Sequence, residues 1–260
     1  MIGFGLDLSH HQNPTAMPWE TWRGVVDFVI ARASYGTMRD RHVVEHLKRA
    51  RGIGAKVGLY AFFRPSQQWP DQMAVLRAVA RDVGLGPGDI VPAIDIEKDP
   101  VPSPGRDVAP DWEPACRAMT AAMVAEWGDA LVYITQREWR MLGKPAWVLE
   151  RPLWCAHYTD AAAPATPSSM PATIWQHRVD DVDRNGGGGH NTKARLQIDQ
   201  NRLLRPLPLI RGAAPEAIDD ATRERTNGLV ALTLQQAARG ELPRDDHDTD
   251  PAPPPSEEIA

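Results

Sequence analysis

The chain has 260 residues, a formal net charge of −5 and a sequence pI near 5.9. Its length predicts one large domain with one substantial core. The negative charge disfavours a surface that attracts nucleic acid or anionic lipid. Apolar runs stay far below the ~20 residues needed to cross a bilayer, and the first residues carry neither the basic nor the apolar part of a signal peptide. We therefore expect no nucleic-acid partner, no membrane insertion and no signal peptide.

Short apolar, β-branched runs alternate with helical patterns in the first two-thirds of the chain, which predicts βαβ units and a parallel sheet. Apolar stripes at helical spacing near residues 43–53, 73–83 and 112–127 predict helices that cover this sheet. The segments that join the last three runs are too short or too proline-rich for full crossover helices. The expected fold class is α/β, a modified eight-stranded TIM-like barrel with irregular last strands and incomplete helices. Its strands are expected at Phe4–Ser9, Phe28–Ser34, Val57–Phe63, Ile90–Ile96, Leu131–Thr135, Leu153–His157, Thr173–Gln176 and Leu196–Asp199.

The composition changes beyond Pro208, where polar and proline-rich sequence replaces the alternating pattern. We therefore place a barrel at residues 1–212 and a polar tail at residues 213–260. An alanine-rich stretch of the tail can form a helix, whereas its acidic, proline-rich end has the composition of a disordered segment. The Asp/His run at 245–250 is interpreted as solvated charge rather than as a cation site.

Two acids end the fourth predicted strand. The run Ile90–Ile96 is apolar until Asp95, and Glu97 follows two residues later. Because alternate side chains of a strand share a face, both carboxylates are expected to point the same way. Active sites of α/β barrels lie at the carboxyl ends of the strands, where paired carboxylates can divide acid work from base work. Alone, such a pair can equally hold a metal ion or a structural arginine.

Further acids stand at the ends of the first and last predicted strands, at Asp7 and Asp199. A closed barrel places its first strand beside its eighth, so these two side chains are expected to be neighbours at the same rim. Three strands then deliver carboxylates to one place. A purely structural explanation needs several unrelated ion pairs at equivalent positions, so the functional interpretation is favoured.

Eight segments occur in order between Ile2 and Arg205: LDLSHHQ, FVIARASYG, VGLYAFF, PAIDIE, LVYITQ, LWCAHY, IWQH and IDQNRL. Together they resemble glycoside hydrolases of family 25. The resemblance implies a modified barrel with irregular final strands. It also implies a lysozyme, an N-acetylmuramidase that cleaves the β-1,4 bond between N-acetylmuramic acid and N-acetylglucosamine.

The same resemblance implies a role for each acid. Glu97 is expected to be the general acid and Asp95 the second catalytic carboxylate, with Asp7 and Asp199 as supporting acids. Asp95 can either attack the sugar or orient the acetamido group of the substrate, and the sequence leaves both routes open. Both routes retain the anomeric configuration.

Aromatic side chains at strand ends can stack on the apolar faces of sugar rings. The first candidates for substrate binding are Tyr60 and Tyr133. Packing in the barrel interior is the competing explanation for each candidate, because aromatic rings fill such cores as well. The other candidates are Tyr35, Trp154, Trp175 and Tyr158, together with the polar Gln176.

Several conspicuous residues are expected to carry no chemistry of their own. Cys116 and Cys155 match no metal spacing and are expected to be separate buried thiols. His10 and His11 are interpreted as hydrogen-bonded support rather than as metal ligands. The glycine run at 186–189 lacks the Lys-Ser/Thr of a phosphate-binding loop, so it is interpreted as a flexible loop.

We therefore interpret the chain as a muramidase that needs no cofactor and no metal and that binds a peptidoglycan glycan strand. The missing signal peptide favours a bacteriophage product that is made in the cytoplasm. It would act on the cell wall after release, as an endolysin, or be carried in a virion. The alternative is a non-catalytic glycan-binding or structural virion component that retains the barrel, with a virion or wall partner bound through the tail.

Overall fold

The computed structural model describes residues 3–99, 107–159, 161–181 and 197–211, apart from the side chains of residues 179–181 and 197. The α-helices are α1 (Trp19–Trp22), α2 (Val43–Gly52), α3 (Trp69–Asp82), α4 (Glu113–Trp127), α5 (Gln136–Met141) and α6 (Ala146–Leu149). The strands are β1 (Phe4–Leu8), β2 (Phe28–Tyr35), β3 (Met38–Arg39), β4 (Lys56–Phe62), β5 (Ala93–Asp95), β6 (Leu131–Tyr133), β7 (Leu153–Ala156), β8 (Ile174–Asp181) and β9 (Gln197–Leu203).

Eight of these strands close into a barrel. Neighbours are parallel from β1 through β2, β4, β5, β6 and β7 to β8. β9 closes the barrel by pairing with both β8 and β1, and it is antiparallel to both. β3 is a two-residue strand that pairs antiparallel with the end of β2. The predicted barrel of eight strands is therefore confirmed, with one short strand in addition.

The three longest helices bury the apolar stripes that the sequence predicts. Buried members include Leu47 in α2, Val79 in α3 and Met119 in α4. Both α3 and α4 carry a proline in the first turn, where the missing N–H costs no hydrogen bond. α4 is followed by Gly128, which has a φ of 83°. A residue in this left-handed conformation terminates many helices. α2 and α3 contact β2, and α4 contacts β5, so these helices cover the outside of the barrel.

The end of the barrel is irregular, as predicted. Within the described part of the chain after β7, the connections contain one 3-10 turn, Pro167–Ser169, and no α-helix. After β9 the chain returns under the barrel, where the Val91 N–H donates to the Pro208 carbonyl at 2.9 Å. The Ile210 N–H donates to the Asp89 carbonyl at 2.9 Å, and the Ile210 side chain is buried. Residues up to 211 are therefore part of the barrel.

Five predicted strands differ from the observed ones by only one or two residues at an end, whereas three differ by more. β5 covers only Ala93–Asp95, because Ile90 instead forms an isolated bridge to Leu209. β8 and β9 are longer than predicted and run to Asp181 and Leu203, because they pair with each other as one antiparallel ladder. The predicted tail, residues 213–260, and the glycine run at 186–189 lie outside the described residues.

Two other expectations concern the thiols and the helices. Cys116 on α4 and Cys155 on β7 are both free and buried, as predicted. Burial raises the pKa of the Cys155 thiol to about 12. In the described ranges, none of the helices combines the length and the apolarity needed to span a membrane.

Candidate active site

The barrel brings the four predicted acids to one rim. Asp7 near the end of β1 pairs directly with Asp199 in β9. Asp95 is the last residue of β5, and Glu97 follows it. The charge of Glu97 acts on both Asp7 and Asp95, and the charge of Asp7 acts on Asp95. The four carboxyl groups therefore form one cluster.

Asp7 and Asp199 are neighbours as predicted, but the reason differs from the expected one. The sequence suggests a strand that ends at Asp199, whereas β9 begins at Gln197 and places Asp199 near its start. Because β9 runs antiparallel to β1, the start of β9 lies at the rim where β1 ends. The position of Asp199 is therefore set by the reversed direction of the last strand.

Asp95 and Glu97 form a hydrogen-bonded pair of carboxyl groups. Asp95 is buried, and its Oδ1 atom makes no hydrogen bond, whereas Glu97 is partly exposed. Burial raises the pKa of Asp95 well above 3.8, and the charge of Glu97 and the hydrogen bond to it raise this pKa further. The two groups therefore titrate as a coupled pair that binds one proton more tightly than an isolated aspartate does.

Asp7 lies in a network of side chains from three neighbouring strands. Its Oδ2 atom accepts hydrogen bonds from Gln176 Nε2 at 3.0 Å and from Asn201 Nδ2 at 2.7 Å. Trp154 Nε1 donates to Asn201 Oδ1 at 2.8 Å. Burial and then the charge of Asp199 raise the pKa of Asp7 well above 3.8, although the two amide donors lower it.

Asp199, the neighbour of Asp7, also has a raised pKa. Burial raises the pKa of Asp199 from 3.8 to about 6, and hydrogen bonds with Tyr158 and Asp7 oppose this rise. Tyr158 as a residue is 46% exposed, whereas its hydroxyl lies 2.8 Å from Gln176 Oε1. Tyr158 thus presents an open aromatic face at the rim while its hydroxyl is held in the acid network.

The strand register sorts the remaining aromatic candidates. Tyr133 lies beside Asp95 and Trp154 in the ladder, and its hydroxyl is 2.9 Å from Gln176 Oε1. Tyr60 packs edge-on against Trp154, with ring centroids 6.0 Å apart. Tyr35, at the end of β2, packs against the Phe62 ring at 4.7 Å. These side chains are on the inner face of the barrel or at its rim.

Trp175 is a wrong prediction as a substrate-binding residue. It directly precedes Gln176 in β8, so the two side chains point to opposite faces of the sheet. Its indole N–H donates to the His157 carbonyl at 2.7 Å, and its ring packs against Arg202 outside the acid network. Only 2% of the side chain is exposed, so it supports the wall of the barrel.

The sequence analysis missed a buried ion pair beside the acids. Arg32 Nε donates to Asp40 Oδ2 at 3.0 Å, and both side chains are buried. The charge of Arg32 lowers the pKa of both Asp95 and Tyr60, against the larger effect of burial. A lone arginine in the apolar run FVIARASY is the signal that points to such a pair, because buried charges need partners.

Asp40 also holds the loop that follows β1. Its Oδ2 atom accepts the His10 N–H at 2.8 Å, and its Oδ1 atom accepts the His42 N–H at 2.8 Å. The His10 ring nitrogen Nδ1 contacts Arg32 Nη2. His10 is thus part of a hydrogen-bonded support, which agrees with its interpretation from the sequence.

The pKa of Asp199 predicts a stability difference that depends on pH. Because this pKa is higher in the folded protein than in the unfolded chain, the contribution of Asp199 is favourable below pH 3.8 and is lost as the pH rises through about 6. Asp199→Asn removes the buried charge, so we expect it to stabilise the protein at pH 8 by about 2 kcal/mol. Urea unfolding at pH 8 and at pH 4 measures this, and a stabilisation that does not shrink at pH 4 would contradict the assignment.

A comparison with known families identifies the chain. The sequence model of glycosyl hydrolases family 25 matches residues 6–184, which is more than half of the chain. The chain belongs to glycosyl hydrolase family 25. The matched range includes Asp7, Asp95 and Glu97, whereas Asp199 lies beyond it. Among curated proteins, none matches this chain significantly.

Solved structures agree with this family 25 fold. A bacterial lysozyme from Streptomyces coelicolor is 22% identical, with a TM-score of 0.60 over 78% of this chain and 92% of its own. A family 25 lysozyme from Aspergillus fumigatus is 20% identical, with a TM-score of 0.60 over 79% of this chain and 95% of its own. The catalytic domain of an endolysin from a bacteriophage of Listeria monocytogenes is 20% identical, with a TM-score of 0.57 over 88% of this chain and 97% of its own. At these identities the likeness establishes the barrel.

Proposed function

We propose that the chain is a lysozyme that cleaves the β-1,4 bond between N-acetylmuramic acid and N-acetylglucosamine in peptidoglycan. The observation that carries the proposal is the hydrogen-bonded pair of Asp95 and Glu97 at the carboxyl end of a barrel strand in a family 25 chain. The same substrate is supported by structural neighbours that are lysozymes. A glycan strand is accordingly the proposed partner.

Glu97 is proposed as the general acid and Asp95 as the second carboxylate. Asp95 is the more deeply buried partner, and burial raises its pKa. The reactive form of the pair has Glu97 protonated and Asp95 anionic. Glu97 then donates its proton to the glycosidic oxygen as the bond of that oxygen to C1 breaks, and the Asp95 anion stabilises the positive charge that develops at C1.

The spacing of this pair supports retention of configuration. Inverting glycosidases keep their two carboxyl groups roughly 6.5–9.5 Å apart to admit a water molecule between acid and base. Carboxyl groups that are hydrogen-bonded to each other leave no such room. In the second half of the reaction the Glu97 carboxylate takes a proton from water, which attacks C1 and restores the acid.

The aromatic side chains of the rim are proposed to hold the sugars. Tyr158 is the best placed, because its ring is open to solvent and its hydroxyl is anchored. Tyr60, Tyr133 and Tyr35 complete the proposed groove around the acids. Trp154 is buried and supports this surface by bonding Asn201 rather than by facing the glycan.

Digestion of purified peptidoglycan, with identification of the new reducing ends, tests the proposal. We expect N-acetylmuramic acid at every new end. Reducing N-acetylglucosamine would contradict the bond assignment. Binding of peptidoglycan with no new ends would instead support the non-catalytic alternative, which the assembled acids disfavour.

The folded unit is proposed to end near residue 212, with the remainder as the proposed attachment point for a virion or wall partner. Truncation after Gly212 is expected to leave melting temperature and activity nearly unchanged, because the polar, proline-rich composition of the tail cannot bury a core of its own. Truncation after Arg205 is the matched control. It removes the buried Ile210 and the hydrogen bonds to Asp89 and Val91, so it is expected to destabilise the barrel strongly. An insoluble 1–212 protein would place the boundary further along the chain.

The proposed route to the wall is release from the producing cell at lysis, or transport in a virion. The endolysin among the structural neighbours supports the first of these. Activity that appears in the medium only when a membrane-permeabilising protein is co-expressed would agree with release at lysis. Activity in intact, purified particles would agree with a virion enzyme.

A further inference from the structure

The backbone just before Glu97 is held by the neighbouring strands. The Phe63 N–H donates to the Asp95 carbonyl at 2.9 Å, and the Ile96 N–H donates to the Tyr133 carbonyl at 3.0 Å. β5 itself ends at Asp95. Glu97 therefore follows these bonds, at a point where the strand has already ended.

Two residues after Glu97 the chain is anchored again, by a buried ion pair. Asp99 is only 1% exposed, and its Oδ1 atom lies 3.4 Å from Arg64 Nε. Arg64 directly follows Phe63, just beyond the end of β4. The pair thus joins the segment after β5 to the segment after β4. Glu97 is bracketed by sheet bonds on one side and by this ion pair on the other.

Arg64 is itself held in place by its surroundings. Its N–H donates to Gln72 Oε1 at 2.9 Å, and Gln72 Nε2 donates to its carbonyl at 2.8 Å. Gln72 belongs to α3 and is fully buried. The guanidinium carbon of Arg64 lies 4.9 Å from the centre of the Tyr35 ring, within the range of a cation–π contact. Arg64 therefore presents its charge to Asp99 from a fixed position.

We propose that Arg64 and Asp99 are positioning residues that hold Glu97 at the place where it protonates the glycosidic oxygen. A general acid has to lie within hydrogen-bond reach of the atom that it protonates. A displacement of about 1 Å can lower a rate by about 10²-fold. A buried ion pair suits this task, because breaking it leaves a charge uncompensated in a poorly solvated place.

The inference rests on the proposed function for the chemistry of Glu97 and deepens it by naming the residues that place this side chain. The anchoring of the segment itself requires no substrate. It can therefore be measured in the free protein, independently of any cleavage of peptidoglycan.

Asp99→Asn in the full chain tests the proposal, because it keeps the volume of the side chain and removes its charge. Nitrogen-15 relaxation measures the backbone order parameters of Glu97 and Lys98. We expect these to fall from about 0.85 toward about 0.6. On a soluble peptidoglycan fragment, kcat is expected to fall about tenfold while KM stays within about twofold, since the fragment still binds but the acid is misplaced.

Glu126→Gln is the matched control. It breaks the ion pair between Glu126 of α4 and Arg77 of α3, two helices that cover the outside of the barrel. This variant is expected to lower the melting temperature without changing the order parameter of Glu97 or kcat. If Asp99→Asn does not fold, Arg64→Met combined with Asp99→Leu carries the same expectation, because replacing both partners leaves no buried charge alone.

The two readouts make the outcomes distinct. A folded variant of the pair in which the Glu97 amide stays as rigid as in the unaltered protein, or in which kcat is unchanged, overturns the proposal. If the unaltered protein releases no muropeptides but the Glu97 amide becomes mobile in Asp99→Asn, the enzyme assignment is rejected and the anchoring stands.

Discussion

Glu97→Gln is expected to lower the rate of peptidoglycan hydrolysis by about 10³-fold or more. The amide keeps the volume and the hydrogen-bonding reach of the acid but has no proton to transfer to the leaving oxygen. It also uncouples the titration of Asp95, because an amide N–H can donate a hydrogen bond to that carboxyl group but cannot exchange a proton with it. Release of soluble muropeptides from purified walls, measured at several enzyme concentrations, gives the ratio of rates.

Two measurements separate loss of chemistry from loss of structure in this variant. Its melting temperature and its binding to insoluble peptidoglycan are expected to stay close to those of the unaltered protein. Lys98→Met is the matched control, because this exposed side chain is the next residue along the chain. Turnover of Glu97→Gln within about tenfold of the Lys98→Met rate would remove Glu97 from the role of general acid.

The barrel and its acidic rim were predictable because two regularities of the sequence indicate them. Apolar runs with period two and stripes with period 3.6 mark buried strands and covering helices. An acid at the end of an apolar strand, as at Asp95, is conspicuous in the sequence because nothing in the packing of the strand requires it. Closure of the barrel then brings Asp7 to Asp199 across almost the whole chain.

The direction of β9 was not predictable in the same way. The sequence of an apolar strand has the same pattern whether the strand is parallel or antiparallel to its neighbours. The hydrogen-bond pattern that distinguishes the two directions forms only with those neighbours. Trp175 and Gln176 cannot both face the substrate, because neighbouring residues of a strand point to opposite sides of the sheet. Asn201 carries no signal of this kind, because its role comes from contacts with Trp154 and Asp7 on other strands.

The acid cluster has a cost in stability that the ion pair of Arg32 and Asp40 only partly offsets. Buried carboxyl groups are stable mainly when protonated, so a cluster of them weakens the folded state as the pH rises. Arg32 lowers the pKa of Asp95, but the effect of burial remains larger. Substitutions that remove a buried acid are therefore expected to stabilise the protein and inactivate it at the same time.

Asp95→Asn is expected to show most strongly this gain of stability with loss of activity. We expect hydrolysis to fall by about 10²-fold or more, because the anion that stabilises the charge at C1 is lost. We also expect the melting temperature near pH 8 to rise by about 2–4 °C for each kcal/mol gained, since a buried carboxyl group with an unpartnered Oδ1 is replaced by a neutral amide. The rise should shrink as the pH falls below 3.8, the ordinary pKa of the unfolded chain, because the carboxyl group is then protonated in both the folded and the unfolded state. Wild-type turnover, or a melting temperature that falls equally at both pH values, would mean that Asp95 is a structural acid and that the charge at C1 is stabilised elsewhere in the cluster.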